Sequence, residues 1–330
     1  MQEAMFWEKA ADGKIDCRLC PHHCRIADGK RGICGVREAR AGKLLASGYG
    51  KISSANNDPI EKKPLYHFHP GATIFSIGGW GCNFKCGFCQ NWSISQQVVA
   101  SGDVVQPAKI IAAARAEKSA GIAYTYNEPL INIEFASECA RLAREAGLVN
   151  VLVTNGFIEK EPAEFILPLV DALNIDIKGM DEDFYKKQCF ASLKPVLEFS
   201  KQAVGAGRHV EITNLIIPGL NDADPQINKL AEWIFENLGK KTPLHLSAYH
   251  PEFKMDLPPT PPETLERAYR LCKEKLQYVY IGNVFSETGQ DTLCPQCGNT
   301  LVFRRGYSIR PAGLNGKNCA KCGRPADIIR

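Results

Sequence analysis

Three cysteines packed into one short stretch, Cys82-Asn83-Phe84-Lys85-Cys86-Gly87-Phe88-Cys89, constrain this chain more than any other feature. They follow an apolar run, Thr73 to Ile77, and a glycine-rich turn, Gly78-Gly79-Trp80-Gly81. Cysteine thiolates hold iron–sulfur clusters, and a cubane cluster has four irons, so three close cysteines leave one iron without a protein ligand. An open position lets a bound group react, as it does where catalytic zinc sites differ from closed structural ones. Read from spacing alone, the alternatives are a zinc knuckle short of a ligand or three unrelated thiols.

The other cysteines sharpen the reading. Of 14 in the chain, four lie at Cys17, Cys20, Cys24 and Cys34, and four more at Cys294, Cys297, Cys319 and Cys322. The chain opens Met1-Gln2-Glu3-Ala4-Met5 with no basic-then-apolar leader, and no apolar run approaches the length of a membrane helix. The expected compartment is therefore a reducing cytoplasm, where clustered cysteines are read as metal ligands rather than disulfides. A net charge of +4, from 40 basic and 36 acidic residues without long runs of either sign, argues against nucleic acid as the main partner. Apolar content of 45% and charged content of 23% over 330 residues are ordinary for one large folded domain with small appendages.

In chain order, residues 1–70 read as a cysteine-rich module with little regular structure, 71–288 as an α/β core, and 289–330 as a four-cysteine ribbon. The N-terminal four thiols suit one zinc ion or one further iron–sulfur cluster, and the spacing leaves both open. His22 and His23 read as bystanders to them. Asp58 to Gly71 reads as a proline-punctuated connector placed to fold over an active-site mouth. Beyond it, strands are expected at Thr73 to Ile77, Ile122 to Tyr126, Val149 to Val153, Ala172 to Ile177, Val210 to Ile217, Leu244 to Tyr249 and Tyr278 to Val284. Helices fill the gaps, with Pro107 opening one and Gly147 and Gly239 closing others, while Cys139 and Cys272 fall on apolar helix faces as core residues. Alternation of this kind predicts a parallel sheet. The paired knuckles Cys294-Pro295-Gln296-Cys297-Gly298 and Cys319-Ala320-Lys321-Cys322-Gly323 predict a closed zinc ribbon or rubredoxin-like site.

In parallel α/β folds the ligand site lies at the carboxyl ends of the strands. Here strand after strand ends in polar groups: Asn127 and Glu128, Thr154-Asn155-Gly156, Asp176 and Lys178, Asn214, then Tyr249 and His250. The fourth strand is the clearest case, because its period of two puts Asn174, Asp176 and Lys178 on one face. An inward acid and base are costly unless paired or liganded. Cys189, in the loop after that strand, reads as a structural thiol, with hydrogen donation or substrate binding as the other reading.

The three cysteines and the Glu128-Pro129 pair resemble radical S-adenosylmethionine (SAM) enzymes, more narrowly those similar to pyruvate formate-lyase activating enzyme. Asp58 to Leu65, His67-Phe68-His69-Pro70-Gly71, Gly81-Cys82-Asn83-Phe84, Phe88-Cys89-Gln90-Asn91-Trp92 and Ile94-Ser95-Gln96 resemble the AmmeMemoRadiSam system radical SAM enzyme. The resemblance implies a partial (β/α)6 TIM-type barrel, a [4Fe-4S] cluster on Cys82, Cys86 and Cys89, and SAM on the open iron. It implies reductive cleavage of SAM, a flavodoxin- or ferredoxin-like reductant, and Memo-like and AMMECR-type partners. It places Asn127, Glu128, Asn155, Asp176, Lys178, Asn214 and His250 around SAM, with Asp176, Lys178 and His250 nearest the chemistry. The paired glycines usual beside the methionyl amine are absent, and so is the cluster insertion after Cys89 found in many glycyl-radical activases; a non-catalytic zinc protein that binds partners is the reading of another class.

Overall fold

Apolar, β-branched runs bounded by glycine turns become strands where they are covered on both faces, and that pattern sets the main sheet. The computed structural model describes residues 2–98, 103–306 and 308–330. Its largest sheet has eight strands in sequential order: β1 (Ser54–Pro59), β2 (Thr73–Gly78), β3 (Gly121–Tyr124), β4 (Val149–Thr154), β5 (Ala172–Asp176), β6 (His209–Ile216), β7 (Leu244–Ala248) and β8 (Val279–Gly282). β1 runs antiparallel to β2, and every later neighbour pair is parallel. The expected strands all form. The difference is at the N-terminal side, where Ser54–Pro59 adds an antiparallel edge.

Helices return the chain between the parallel strands: α1 (Pro107–Ala116), α2 (Ile133–Glu145), α3 (Lys160–Ile166), α4 (Leu193–Gly205), α5 (Asp224–Asn237) and α6 (Pro262–Lys273). Pro107 stands at the first turn of α1, and Gly147 and Gly239 take positive φ values of 73° and 96° just past α2 and α5. Cys139 and Cys272 are fully buried on the inner faces of α2 and α6. The result is a partial barrel, an open parallel sheet curled around its own lumen with helices outside. No helix among the described residues is long and apolar enough to cross a membrane.

The stretch read as a connector over the mouth lies elsewhere, inside the lumen. Ile60, Leu65 and Phe68 pack with Ile74, Ala123, Val151 and Ala172, the inward residues near the amino ends of β2 to β5. Glu211 on β6 holds this plug by its backbone, accepting from Tyr66 N at 3.0 Å and His67 N at 2.7 Å. The same carboxylate meets His209 Nε2 at 3.0 Å and His245 Nε2 at 2.6 Å. The plug is pulled in because its three apolar side chains find an uncovered layer of barrel lining there. The lumen is consequently filled from the amino ends, and space remains only toward the carboxyl ends.

Residues expected to lack regular structure build two small elements: a sheet of Trp7–Lys9, Ile15–Cys17 and Arg25–Ile26, and a hairpin of Arg37–Arg40 with Lys43–Ala46. Arg37, fully buried, fastens the hairpin to the barrel by donating to Glu134 Oε1 on α2 at 2.9 Å. Glu134 also accepts from Met5 N at 2.7 Å. At the opposite end the C-terminal ribbon has its own small core of Cys294, Leu301, Val302 and Cys319. It clamps the plug from outside, with His69 N donating to Ile329 O at 2.7 Å and Arg304 donating to Tyr66 O at 2.7 Å.

Candidate active site

The carboxyl ends of the strands open onto a cavity of about 710 Å³. Cys82, Cys86 and Cys89 line one side of it. Their loop is held from three directions. Asn127 clasps the glycine turn before it, accepting from Gly79 N and donating to Gly81 O, both at 2.9 Å. Gly81 has a φ of 84°, and a Cβ there would sit 2.3 Å from Cys34 O, so no other residue fits this approach. Asn155 donates to Asn83 Oδ1 at 2.9 Å and to Cys82 Sγ at 3.7 Å. Below, a π-helical turn, Tyr185–Cys189, accepts from Lys85 N and Gly87 N through the carbonyls of Cys189 and Gln188. Fully buried Cys189 thus supports the loop from beneath.

The sulfurs themselves accept backbone or hydroxyl contacts: Phe84 N donates to Cys82 Sγ at 3.3 Å, and Cys89 Sγ lies 3.1 Å from Ser95 Oγ. Burial raises the Cys82 and Cys89 thiols above their ordinary value, and contact with the Cys189 thiol together with burial does the same at Cys86. Sulfurs in such surroundings become thiolates when a metal cation sits among them, since a coordinating thiol is deprotonated outright. The donor set therefore fits a cationic iron cluster and fits poorly a site of free thiolates.

Across the cavity, Lys178 Nζ meets Asp176 Oδ2 at 2.8 Å. Burial works against the Lys178 charge, but the Asp176 carboxylate and the Cys86 sulfur outweigh it and raise the lysine above its ordinary value. Glu128 is buried at the end of β3, accepting from Leu130 N at 3.0 Å, Thr154 Oγ1 at 2.7 Å and Asn155 N at 2.8 Å. Burial pushes its carboxyl up to about 7 against the pull of those donors. Glu128 thus ties the ends of β3 and β4 together and presents a carboxyl that a nearby cation would ionise.

Two expected site residues fall outside. Asn214 turns away from the cavity and donates to Ile177 O at 2.7 Å, because the period of two on β6 points its neighbours Thr213 and Leu215 inward. His250 is exposed, with its ring on Asn283 O at 2.9 Å, since β7 ends at Ala248 and buried Tyr249 is pinned to Thr260 Oγ1 at 2.8 Å. Ser247 lines the cavity in its place. Asn127, Glu128, Asn155, Asp176 and Lys178 are brought together as expected.

Sequence reasoning missed the wall opposite the cysteines, which the edge strand and plug supply. Asp58 there accepts from Lys62 at 3.0 Å, Lys63 at 2.8 Å and the Tyr126 hydroxyl at 2.5 Å. Burial opposes its charge, yet Lys63, Tyr126 and Lys62 hold the carboxyl well below the usual range. Tyr126 carries a left-handed φ of 71°, a costly conformation for a bulky residue that aims its hydroxyl at Asp58. The signal was the density of charge in Asp58-Pro59-Ile60-Glu61-Lys62-Lys63, which a solvent-exposed connector does not need.

The outer cysteines separate by geometry. In the ribbon, Cys294 and Cys322 lie 3.7 Å apart, as do Cys297 and Cys319, and all four ligand atoms fall within 4.8 Å of one another. The N-terminal Cys17, Cys20, Cys24 and Cys34 face one small cavity but no three of them come so close. His23 pairs instead with Glu159 at 2.8 Å, and His22 with Asn83 O at 2.7 Å.

Comparison with known proteins agrees with this geometry. The sequence profile of the radical SAM superfamily matches residues 77–231, the span that carries the three cysteines and β3 to β6. An uncharacterised protein of Methanocaldococcus jannaschii is 47% identical over the full length of both chains. The pyruvate formate-lyase-activating enzyme of Clostridium pasteurianum is 26% identical over 52% of this chain and 72% of its own. Among solved structures, a radical SAM methyltransferase from Sphaerobacter thermophilus shares the fold at a TM-score of 0.50 and 18% identity, over 65% of this chain and 67% of that one. With three cysteines at the rim of a partial barrel, a cavity beside them and these relatives, the chain belongs to the radical SAM superfamily and is an enzyme of radical chemistry.

Proposed function

We propose that this enzyme reductively cleaves SAM at a [4Fe-4S] cluster held by Cys82, Cys86 and Cys89 and uses the product to take hydrogen from a small polar substrate. The observation that carries the reading is the cavity: its 710 Å³ lies within the range of small-molecule sites and exceeds what a cluster needs, with the cysteines on one side and a fixed charged wall on the other. When bound there, the cluster passes one electron to SAM, whose carbon–sulfur bond breaks to give methionine and a 5'-deoxyadenosyl radical.

The chain's own residues bind, orient and exclude water. Asn127 and Asn155 hold the cysteine loop in place through the bonds described above. Glu128 and Asp176 are the anionic partners for the methionyl amine, and Lys178 the partner for its carboxylate, an arrangement of charge-assisted contacts that fixes SAM before reduction. Asp58, Lys62 and Lys63 face the substrate side, and the plug beneath them closes the lumen to solvent from the amino ends. The ribbon cysteines are a closed tetrahedral zinc site, since zinc–sulfur bonds of about 2.3 Å set thiolates about 3.8 Å apart, near the 3.7 Å seen here.

A low-potential one-electron donor of the flavodoxin or ferredoxin kind supplies the reaction. The sequence runs shared with the AmmeMemoRadiSam system enzymes support that narrower membership and, with it, Memo-like and AMMECR-type partners, which co-purification from a native host tests. A second reading, activation of a glycyl-radical partner, is favoured by the activating enzymes among the relatives. Anaerobic reconstitution followed by dithionite and SAM decides the central claim: methionine and 5'-deoxyadenosine form in equal amounts and faster with the true substrate. A reconstituted cluster that leaves SAM intact would overturn it, and a stable glycyl signal by electron paramagnetic resonance on a partner protein would move the substrate assignment to the second reading.

A further inference from the structure

The reaction proposed above uses three cysteines and leaves the N-terminal four without a part. Cys17 ends a strand, Cys20 and Cys24 sit in the turn that follows, and Cys34 comes up from the loop after Gly32. All four face one cavity, whose remaining walls include the apolar side chains of Leu19, Ile26 and Ile131. Cys24 Sγ accepts from Ile33 N at 3.5 Å, a backbone contact of the same kind that Cys82 receives from Phe84.

The chain carries its own rulers for what such a set can hold. The ribbon four show the spacing of a single tetrahedral ion, with every ligand atom within 4.8 Å of the others, and they are the only such group among the described residues. Cys82, Cys86 and Cys89, the cluster-binding set, are more widely spread around their cavity. The N-terminal four follow the second ruler: they converge on one space, yet no three are close enough to share a single zinc. A cubane spreads its thiolates over four separate irons, so it requires this wider arrangement and uses all four.

We propose that Cys17, Cys20, Cys24 and Cys34 hold a second, fully ligated [4Fe-4S] cluster set beside the catalytic one. The neighbourhood follows from two contacts. His22, two residues after Cys20, bonds through its ring to the Asn83 carbonyl at 2.7 Å, next to Cys82. The backbone of Cys34 lies against Gly81, on the other side of Cys82. With four protein ligands the second cluster has no open iron and binds no SAM. Its chemistry is electron transfer: it takes one electron from a reduced flavin or iron–sulfur protein, hands that electron to the cluster at Cys82, Cys86 and Cys89, and returns to its oxidised state with no net change.

The cluster assignment is tested independently of SAM cleavage; only the electron-transfer role rests on the proposed function. Metal analysis of the reconstituted full chain is expected to give about eight irons and one zinc, whereas a zinc ion at the N-terminal site gives about four irons and two zincs. The triple variant Cys82→Ala, Cys86→Ala, Cys89→Ala is expected to keep about four irons and a cubane signal by electron paramagnetic resonance after reduction. The double variant Cys20→Ser, Cys24→Ser is expected to keep only the SAM-responsive cluster. In the fully reduced wild type the two signals broaden each other, and each variant shows its remaining signal unbroadened. A folded triple variant that holds two zincs and no iron would overturn the assignment, and if that variant fails to fold, the wild-type iron count decides. Two clusters without mutual broadening would overturn their placement as neighbours.

Discussion

Glu211→Gln probes how the cavity gets its floor. Each Glu211 oxygen receives one backbone donor and one histidine nitrogen: His67 N and His209 on one, Tyr66 N and His245 on the other. An amide of the same shape has a single acceptor oxygen, so its NH2 must face Tyr66 N or His67 N, donor against donor. An orphaned buried donor costs about 1–3 kcal/mol, and the remaining bonds lose the strength that the charge gave them. The sum is on the order of 2–4 kcal/mol, which for a domain of this size lowers Tm by roughly 5–10 °C. The histidines, with burial opposing, hold the Glu211 carboxyl well below its ordinary 4.5. A depressed carboxyl contributes stability that is present above the unfolded value and lost as pH falls through the folded one. Thermal scans from pH 7 downward are therefore expected to show wild type losing its advantage below pH ~4.5, with the glutamine variant lacking that part of the dependence. A Glu211→Gln protein melting within a degree of wild type at pH 7 would refute the claim that this carboxylate pins the plug.

Lys178→Met keeps length and removes charge; losing one charge-assisted contact of about 1.5–3 kcal/mol weakens SAM binding roughly 10- to 100-fold, read by equilibrium dialysis, and unchanged affinity in a folded variant would reassign the Asp176 pair to structure. Glu128 titrates near 7, so SAM, bound through its cationic amine, is expected to bind more tightly as pH rises through that value, and Glu128→Gln to flatten the profile; an identical profile in both proteins would place the amine elsewhere. Arg37→Met leaves Glu134 buried without its cation, at a cost of about 3–5 kcal/mol, and proteolysis should nick the N-terminal hairpin first. Cys297→Ser should release the ribbon zinc, seen by elemental analysis, while iron content stays at the wild-type value.

The sequence alone was enough for features whose physics is local. Cys82, Cys86 and Cys89 lie in one loop, so their convergence depends on a few backbone angles there, and the strand and helix order followed from apolar runs and glycine stops that cover short windows. The pairing of Asp176 with Lys178 was legible for the same reason, because residues two apart on a strand share a face whatever surrounds it. Tertiary structure decided which face. Alternation separates Asn214 from Thr213 but leaves open which of them looks inward until β6 is registered between β5 and β7, and that register put Thr213 in the cavity and Asn214 outside. His250 was lost in the same way when burial of Tyr249 fixed the turn after β7. The plug and the Asp58 wall depend on contacts between residues far apart in the chain, such as Tyr66 with Glu211, which no short window of sequence contains. Metal choice at the outer cysteines followed suit: similar spacings in sequence became a tight four-sulfur cage in the ribbon and a wider nest at the N-terminus, because sulfur separation is set by how distant segments pack, and packing is where long-range burial outweighs local preference.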